Sequence, residues 1–157
     1  MFRTQECVPP NVAHYYFEAR TWGQNKTCKF YIGFCSTDMP RGRLPGHYTG
    51  SWSYEISNTI LTAWALGEKD SSSQTIESDG QYFNVGCGLN MLTGEGFVTL
   101  NGKRLSSGTV FGEHKFSKGK IYPCVAFSTD RPRGLMGARV ILSSSQDSTF
   151  LYTGPYS

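Results

Sequence analysis

The chain has 157 residues, a formal net charge of +3 and 17% charged residues. Its length is the usual size of one domain, and its dispersed basic residues give no signal of nucleic-acid binding. No apolar stretch approaches the roughly 20 residues that span a bilayer, and the start "MFRTQECVPPN" lacks the apolar region of a signal peptide. We therefore expect one intracellular domain, cytoplasmic or nuclear, without membrane contact.

Short aromatic and β-branched segments recur along the chain, separated by Gly, Pro, Asn, Asp and Ser. This spacing is typical of antiparallel strands, and a composition of 14% aromatic residues with 18 glycines agrees with it. We predict strands at residues 13–20, 28–35, 51–56, 59–66, 81–92, 96–105, 120–128, 137–144 and 148–152. No apolar pattern of helical spacing lasts for about ten residues. The sequence thus predicts an all-β fold with little or no helix.

The first half of the chain allows four local predictions. Segments 13–20 and 28–35 are joined by the polar stretch "GQNKT" and are predicted to form a hairpin. Segment 51–56 places its alternate aromatic residues on one face, because side chains two apart in a strand point the same way. Segment 59–66 is compatible with a strand or a short helical turn. Residues 67–80 are polar and rich in serine, which predicts a long surface loop.

The second half contains a strong turn signal and a proline within a strand. Asn101-Gly102 predicts a tight hairpin turn, because both residues tolerate positive φ. Pro123 has no backbone donor, so it is predicted to lie at an edge, an end or a bulge. Residues expected in the interior are Tyr31, Phe34, Phe83, Val85, Cys87, Phe97, Leu100 and Tyr122.

Few residues could support catalysis. The three histidines stand in no catalytic motif and are interpreted as loop or boundary residues; they are His14, His47 and His114. Glu18, Glu55 and Glu95 lie on or near strands, but no spacing pairs two of these carboxylates across a groove. Glu18 is predicted to face solvent. We expect no enzymatic activity.

The five cysteines include no Cys-x-x-Cys pair, which argues against a zinc site and a disulfide framework. Cys87 and Cys124 lie in apolar runs and are predicted to be buried, reduced thiols. The spacing of His, Cys and Asp residues matches no metal site, and no Asp-rich calcium loop is present. We expect neither a metal nor a cofactor.

The segments "HYYFEA", "FYIGF", "NVGCGLN", "GFVTLNGKRL" and "KIYPCVAF" follow one another in this order. Their order and spacing resemble the SPRY family of β-sandwich domains over about residues 13–152. The resemblance implies an antiparallel sandwich of the concanavalin-like jelly-roll type, with flanks at residues 1–12 and 153–157. It also implies a non-catalytic, monomeric domain that binds a peptide segment of a partner protein. Several relatives recruit substrates to a ubiquitin ligase or a scaffold in this way.

Within that family, "MPRGRLPGHYTGSWSYE" is similar to a loop of Ran-binding protein M-like members, in which a Leu-Pro-Gly turn precedes a Ser-x-x-Tyr-type strand. The resemblance implies that loops at one end of the sandwich form the binding surface. The partner-binding residues predicted in this loop and the next strand are Arg41, Arg43, Leu44, Pro45, Tyr48, Trp52 and Tyr54. A second patch, which could also be a plain solvated loop, follows segment 120–128 and contains Thr129, Asp130, Arg131 and Arg133.

Three alternatives stay open at this point. Alternation puts Trp52 and Tyr54 on one face, but it does not say whether that face meets a partner or the core. A carbohydrate-binding or glycan-cleaving sandwich would need a groove lined by Trp22, Trp52 or Trp64, with two facing carboxylates for cleavage. RNA binding through the basic loops would give an affinity that falls steeply with salt.

Overall fold

The computed structural model describes residues 1–22, 28–48, 50–65, 68–69, 73–76, 84–105, 109–110, 120–129, 137–142 and 150–155. These residues form thirteen strands and no helix. The strands are β1 (Phe2–Arg3), β2 (His14–Trp22), β3 (Lys29–Ser36), β4 (Ser51–Ser57), β5 (Ile60–Ala65), β6 (Glu68–Lys69), β7 (Gln74–Thr75), β8 (Asn84–Asn90), β9 (Glu95–Leu100), β10 (Lys103–Arg104), β11 (Thr109–Val110), β12 (Ile121–Ser128) and β13 (Gly137–Ile141).

The strands form two antiparallel sheets. Sheet A has the order β1-β12-β3-β4-β5-β6, and β7 also pairs with β5. Sheet B has the order β10-β9-β8-β2-β13, and β11 also pairs with β9. This arrangement confirms the all-β sandwich. Within the described ranges, no helix could cross a membrane.

The main core lies between the two sheets and is built from alternate residues of the central strands. Phe17 of β2 and Phe34 of β3 meet edge to face across the sheets, with ring centroids 5.4 Å apart. Burial of such side chains stabilises the fold by roughly 1.5–3 kcal/mol each. Other inner-face residues of this cluster include Ala19, Phe30, Ile32, Trp52, Tyr54, Ile56, Val85, Cys87, Leu89, Val98, Leu100 and Val125.

The hairpin predicted for segments 13–20 and 28–35 is wrong. β2 pairs with β8 and β13 in sheet B, whereas β3 pairs with β12 and β4 in sheet A. The two strands lie face to face across the core. Alternation of apolar residues marks each strand, but it is the same for strands that pair and for strands that pack on each other.

The turn prediction at Asn101-Gly102 is confirmed. Asn101 has φ of 47° and Gly102 has φ of 82°, and Lys103 of β10 pairs with Leu100 of β9 directly across the turn. The Asn101 side-chain oxygen also accepts a hydrogen bond from the Asn84 backbone N–H at 3.1 Å. The turn thus fixes one end of β8 as well as the hairpin.

Pro123 lies in a strand that is not at an edge, since β12 is flanked by β1 and β3. Its carbonyl accepts from the Thr4 N–H at 3.1 Å, so its ring nitrogen points to the β1 side rather than into the β3 ladder. β1 ends at Arg3, one residue before this point. The missing donor therefore faces the end of a two-residue strand, where it removes no central ladder bond.

The region from residue 59 to residue 80 contains more strand than expected. Segment 59–66 forms β5, which settles the open choice in favour of a strand. The surface-loop prediction for residues 67–80 is wrong where β6 and β7 form and where Ile76 is buried. Ser73 is described, exposed and in no strand, as a surface loop predicts, and the remaining residues of the segment lie outside the described ranges.

Both predicted flanks contact the sandwich. Residues 2–3 form β1 at the edge of sheet A, and Val8 belongs to the main core. Segment 148–152 was predicted as a strand, but residues 150–152 are in none. They belong to a segment, residues 150–155, which packs on the outer face of sheet B and is called the closing segment below. The domain limits of 13–152 stay a prediction.

Glu18 is not solvent-facing, because it holds the closing segment. Its side chain is 1% exposed and accepts four hydrogen bonds. The Leu151 and Tyr152 backbone N–H groups donate at 2.9 and 2.8 Å, the Tyr16 hydroxyl at 2.8 Å and the Asn84 side-chain amide at 2.9 Å. A buried carboxylate is tolerated when such donors replace water. The prediction failed because nothing in the local pattern shows that this outer face is covered.

An aromatic cluster packs around the same carboxylate. Tyr16 stacks on Phe97 with centroids 5.8 Å apart, and Tyr152 tilts against Tyr16 at 5.4 Å. Burial, followed by the Glu18 charge, raises the pKa of Tyr16 well above its ordinary value. Phe97 is interior as predicted, but it lies under the closing segment and not between the sheets.

Candidate recognition surface

The loop between β3 and β4 does not project from the end of the sandwich. Residues 37–48, called the strap below, fold back across the outer face of sheet A. Two serines on that face hold the strap: the Ser53 hydroxyl donates to the Pro45 carbonyl at 2.7 Å, and the Gly46 N–H donates to the Ser51 hydroxyl at 2.8 Å. The Ser51 hydroxyl in turn donates to the Tyr48 carbonyl at 2.8 Å. The strap is therefore a fixed surface element.

Gly46 makes this close approach possible. It has φ of 83°, which favours glycine, and a Cβ added there would lie 2.4 Å from the Trp64 Cβ and 2.6 Å from the Ser53 hydroxyl. The Leu-Pro-Gly turn recognised in the sequence thus presses the backbone onto the sheet.

A polar and aromatic cluster lies under the strap next to Gly46. The His47 imidazole stacks on Trp64 with centroids 3.8 Å apart and meets Tyr31 edge to face at 5.4 Å. Glu55, on the outer face of β4, accepts from the Trp64 indole N–H at 2.8 Å and pairs with the Lys29 ammonium at 3.1 Å. The cluster joins the strap to three strands of sheet A.

The electrostatics of this cluster follow from burial. Desolvation lowers the pKa of His47, although the nearby Glu55 opposes the shift. His47 Nε2 is buried without a hydrogen-bond partner and lies 3.7 Å from a Glu55 carboxylate oxygen. Burial, followed by the Glu55 charge, raises the pKa of Tyr31. His47 therefore has a packing role that the loop interpretation missed.

The predicted site residues of the strap separate into two groups. Arg41 and Arg43 are exposed, while Leu44 and Tyr48 are partly buried; the Arg43 guanidinium lies 6.0 Å from the centre of the Tyr48 ring. Pro45 is buried and serves as a hydrogen-bond acceptor, so it offers no outer contact area. Four of the five predicted strap residues therefore keep some exposed surface.

Trp52 and Tyr54 do not belong to that surface. Each is 3% exposed and packs in the main core between the sheets. Residues of β4 alternate, so the strap meets Ser51, Ser53 and Glu55 on the other face. The core alternative left open by the sequence is the correct one for both rings.

Of the second predicted patch, the structure describes Thr129 alone. Thr129 follows the end of β12 where Ser128 pairs with Lys29, whereas the strap begins after Ser36, which pairs with Ile121. The strap then runs back toward the Thr129 end of β12, because His47 contacts Tyr31, which pairs with Ala126. The other residues of this patch, Asp130, Arg131 and Arg133, lie outside the described residues, as do Phe83 and His114.

A cleft of about 690 Å³ lies beside the strap, between its first residues and β1. Its lining residues are Met1, Phe2, Arg3, Thr4, Gln5, Thr37, Met39, Pro40, Arg41 and Tyr122. Tyr122 was expected in the interior, but it is only partly buried and lies on the outer face of β12. The cleft thus joins Arg41, a predicted residue, to Arg3 and Tyr122, which sequence reasoning did not assign to a site.

Arg3 anchors this part of the surface. Its guanidinium lies over the Tyr122 ring, 4.6 Å from the centroid, and donates to the Thr37 carbonyl at 3.0 Å. Beneath it, the Cys35 thiol hydrogen-bonds with Cys124, and that bond, with help from Arg3, lowers the pKa of Cys35. A signal for this covered face was present in "IYPCVAF", where apolar residues occupy both faces of the strand.

Other chemistry finds little support in this geometry. The three tryptophans share no platform, since Trp52 is inside, Trp64 lies under His47 and Trp22 lies in sheet B against Gly137. Glu18 and Glu55 lie on different sheets. Among the residues whose placement is described, no cluster of three or more His, Cys, Asp and Glu could hold a metal.

Two antiparallel sheets with a loop fixed on one outer face define a β-sandwich domain. The sequence matches the SPRY domain family over residues 14–138, and the chain belongs to this family. SPRY domains are generally non-catalytic modules that mediate protein–protein interaction. The Ran-binding protein M-like subgroup stays a prediction.

Solved structures of low sequence identity share the fold. The TRIM65 PSpry domain matches with a TM-score of 0.60 and 19% identity, covering 91% of this chain and 70% of that one. A human SPRY domain matches with a TM-score of 0.62 and 16% identity, covering 92% and 84%. Stonustoxin matches with a TM-score of 0.56 and 18% identity, covering 88% of this chain and 21% of that one. A comparison with curated protein sequences found no match.

Proposed function

We propose that the domain binds a short, extended segment of a partner protein on the surface formed by the strap and the adjoining cleft. The observation that carries the proposal is the rigid attachment of the strap, which presents Arg41, Arg43, Leu44 and Tyr48 on a backbone held by Ser51 and Ser53. A fixed loop binds with little loss of conformational entropy. Arginine and tyrosine are also enriched among residues that dominate binding energy.

The biological role we propose is recruitment of a substrate to a ubiquitin ligase or a scaffold, by a monomeric domain in the cytoplasm or nucleus. The family resemblance supports this role. We propose no cofactor and no catalytic step, because the surface is built from arginine, leucine and tyrosine side chains, which suit binding of another protein. Nucleic acid and membrane are not the partners we expect.

Selection from a random peptide library tests the proposed surface. We expect enriched peptides to lose at least about tenfold in affinity with Tyr48→Ala or Arg43→Ala, a loss of roughly 1.4 kcal/mol. Leu92→Ala and Arg139→Ala are matched controls, since both residues are exposed and belong to sheet B or its turns. Selected peptides whose affinity is unchanged by both strap substitutions would overturn the assignment of this surface.

The loop after β12 is tested in the same assay. The strap and the cleft suffice for binding in this proposal, so Arg131→Ala should leave affinity for strap-dependent peptides unchanged. Equal losses with Arg131→Ala and Arg43→Ala would show that the two predicted patches act together, contrary to this proposal.

A further inference from the structure

The open edge of sheet A lies beside the cleft and carries unpaired main-chain groups. β1 is the terminal strand of the sheet within the described residues. Thr4 lies opposite Pro123 and donates to its carbonyl, so the main chain of Thr4 points toward β12. Backbone groups of successive strand residues point in opposite directions. The Arg3 N–H and C=O therefore point away from the sheet, where an added strand would pair with them.

The side chains next to this edge give the cleft a positive charge. Arg3 and Arg41 both line it, whereas the lining includes no Asp or Glu. Glu6 and Asp38 are the acidic residues nearest in sequence, and both are exposed outside the lining. Across the described part of the chain, neither arginine forms an ion pair with a carboxylate.

The two arginines differ in how firmly they are held. Arg3 is fixed by the Thr37 carbonyl and the Tyr122 ring, so its remaining N–H groups have a set direction. Arg41 is exposed and forms no bond within the described residues. Guanidinium groups bind carboxylates through paired N–H donors, and a pre-oriented one does so with less loss of entropy.

Apolar surface lies along the same edge. Tyr122 lines the cleft beside the guanidinium groups. Phe2 is 72% exposed on the opposite face of β1 from Arg3, because Phe2 pairs with Val125 and Arg3 with Cys124. An extended peptide places alternate side chains on opposite faces, so one set would meet Tyr122 and the other Phe2, while its main chain meets Arg3.

From these groups we propose that the cleft binds an acidic, extended peptide segment that adds as a strand to the edge at β1 and places its carboxylates on Arg3 and Arg41. This inference rests on the proposed function and specifies the chemistry of the partner segment. It commits to a peptide rather than another anion, because the unpaired N–H and C=O of Arg3 match a peptide main chain.

Fluorescence anisotropy with labelled peptides tests the inference. The probe is a peptide of alternating Val and Glu, compared with a Val/Gln peptide of the same length and with the acidic peptide N-methylated at alternate amides. We expect the acidic peptide to bind at least about tenfold more tightly than the neutral one, with an affinity that falls as salt rises. Two methylated peptides are used, one for each set of alternate amides. The peptide whose methyl groups lie on the amides that face Arg3 should not bind, because it lacks the donors that pair with the edge.

Charge reversal locates the site. Arg41→Glu should weaken binding of the acidic peptide by at least about tenfold and leave folding unchanged, since Arg41 is exposed. Arg139→Glu makes the same change on sheet B and should have little effect. Equal losses with both variants, binding that is insensitive to N-methylation, or full competition by single-stranded RNA would overturn the inference.

The outcome also separates this inference from the proposed function. Library peptides that depend on Tyr48 but bind equally well with Gln in place of Glu would leave the proposed function standing and overturn the acidic partner. Failure of every library peptide to bind would overturn the proposed function itself.

Discussion

The imidazole of His47 stacks on the indole of Trp64, with ring centroids 3.8 Å apart and planes inclined by 27°. This contact joins the strap to the outer face of sheet A. It places a titratable ring among three other groups of that face: Tyr31 and Lys29 of β3 and Glu55 of β4. The strap should therefore respond to pH through a single residue.

We expect acid to destabilise the domain through His47. Its folded-state pKa is lowered from 6.5 by burial, so the unfolded chain takes up the proton first as pH falls. The stabilising contribution of neutral His47 is present above pH 6.5 and is lost as pH falls toward the folded-state pKa. Thermal melting from about pH 8 to about pH 5 should show a smaller acid loss for His47→Gln than for the unmodified protein. His14→Gln, at an exposed position, should keep the full loss.

Substitution of Gly46 should detach the strap. Gly46→Ala adds a Cβ against Trp64 and Ser53 at a residue whose φ is 83°. We expect a loss of about 2–4 kcal/mol in the free energy of unfolding, measured with urea. Gly42→Ala is the matched control, because a Cβ there meets nothing within 4 Å. Similar stability of the two variants would show that the strap is not pressed onto the sheet.

Glu18 should be essential to the stability of sheet B. Glu18→Gln replaces one carboxylate oxygen by an NH2 group, which cannot accept. Either the Tyr16 hydroxyl and the Tyr152 N–H, which share Oε1, or the Asn84 amide and the Leu151 N–H, which share Oε2, then lose their acceptor. The expected loss is about 3 kcal/mol, since a buried donor is left unpaired. Glu95→Gln changes an exposed carboxylate of β9 and should alter stability by less than about 0.5 kcal/mol. Equal effects would contradict the closing role of Glu18.

Two substitutions at Asn101 separate backbone strain from hydrogen bonding. Asn101→Ala removes the acceptor for the Asn84 N–H and places alanine at a positive φ, which is unfavourable for it. We expect a loss of about 2 kcal/mol in the free energy of unfolding. Asn101→Gly also loses this acceptor but tolerates the positive φ, so it should cost about half as much. Chemical denaturation measures the free energy of unfolding of both variants. An equal loss in both would show that the positive φ contributes nothing to the cost of the alanine substitution.

The sequence predicted local structure well wherever one strand or one turn carried the information. Alternation located most of the strands, and Asn101-Gly102 identified its turn, because these patterns depend on neighbouring residues. Partners of strands were less predictable. β2 and β3 are consecutive and both strongly apolar, yet they pack across the core, since alternation does not distinguish a paired strand from a facing one.

Outer faces were the second source of error. Glu18 and Tyr122 were assigned from the character of their own strands, but each outer face is covered by a segment distant in the chain. The closing segment covers the first, and the strap with Arg3 lies over the second. The proposed surface was predicted in part, through Arg41, Arg43, Leu44 and Tyr48. Arg3 could not be found, because its role depends on the pairing of β1 with β12.

The hydrogen bond from the Tyr152 N–H to Glu18 joins residues 134 positions apart. During synthesis on the ribosome, the carboxylate at position 18 is exposed long before its backbone donors have been translated. Native packing of sheet B must therefore wait until residue 152 has emerged from the exit tunnel. A nascent chain stalled before that point would present an unfinished aromatic surface to chaperones.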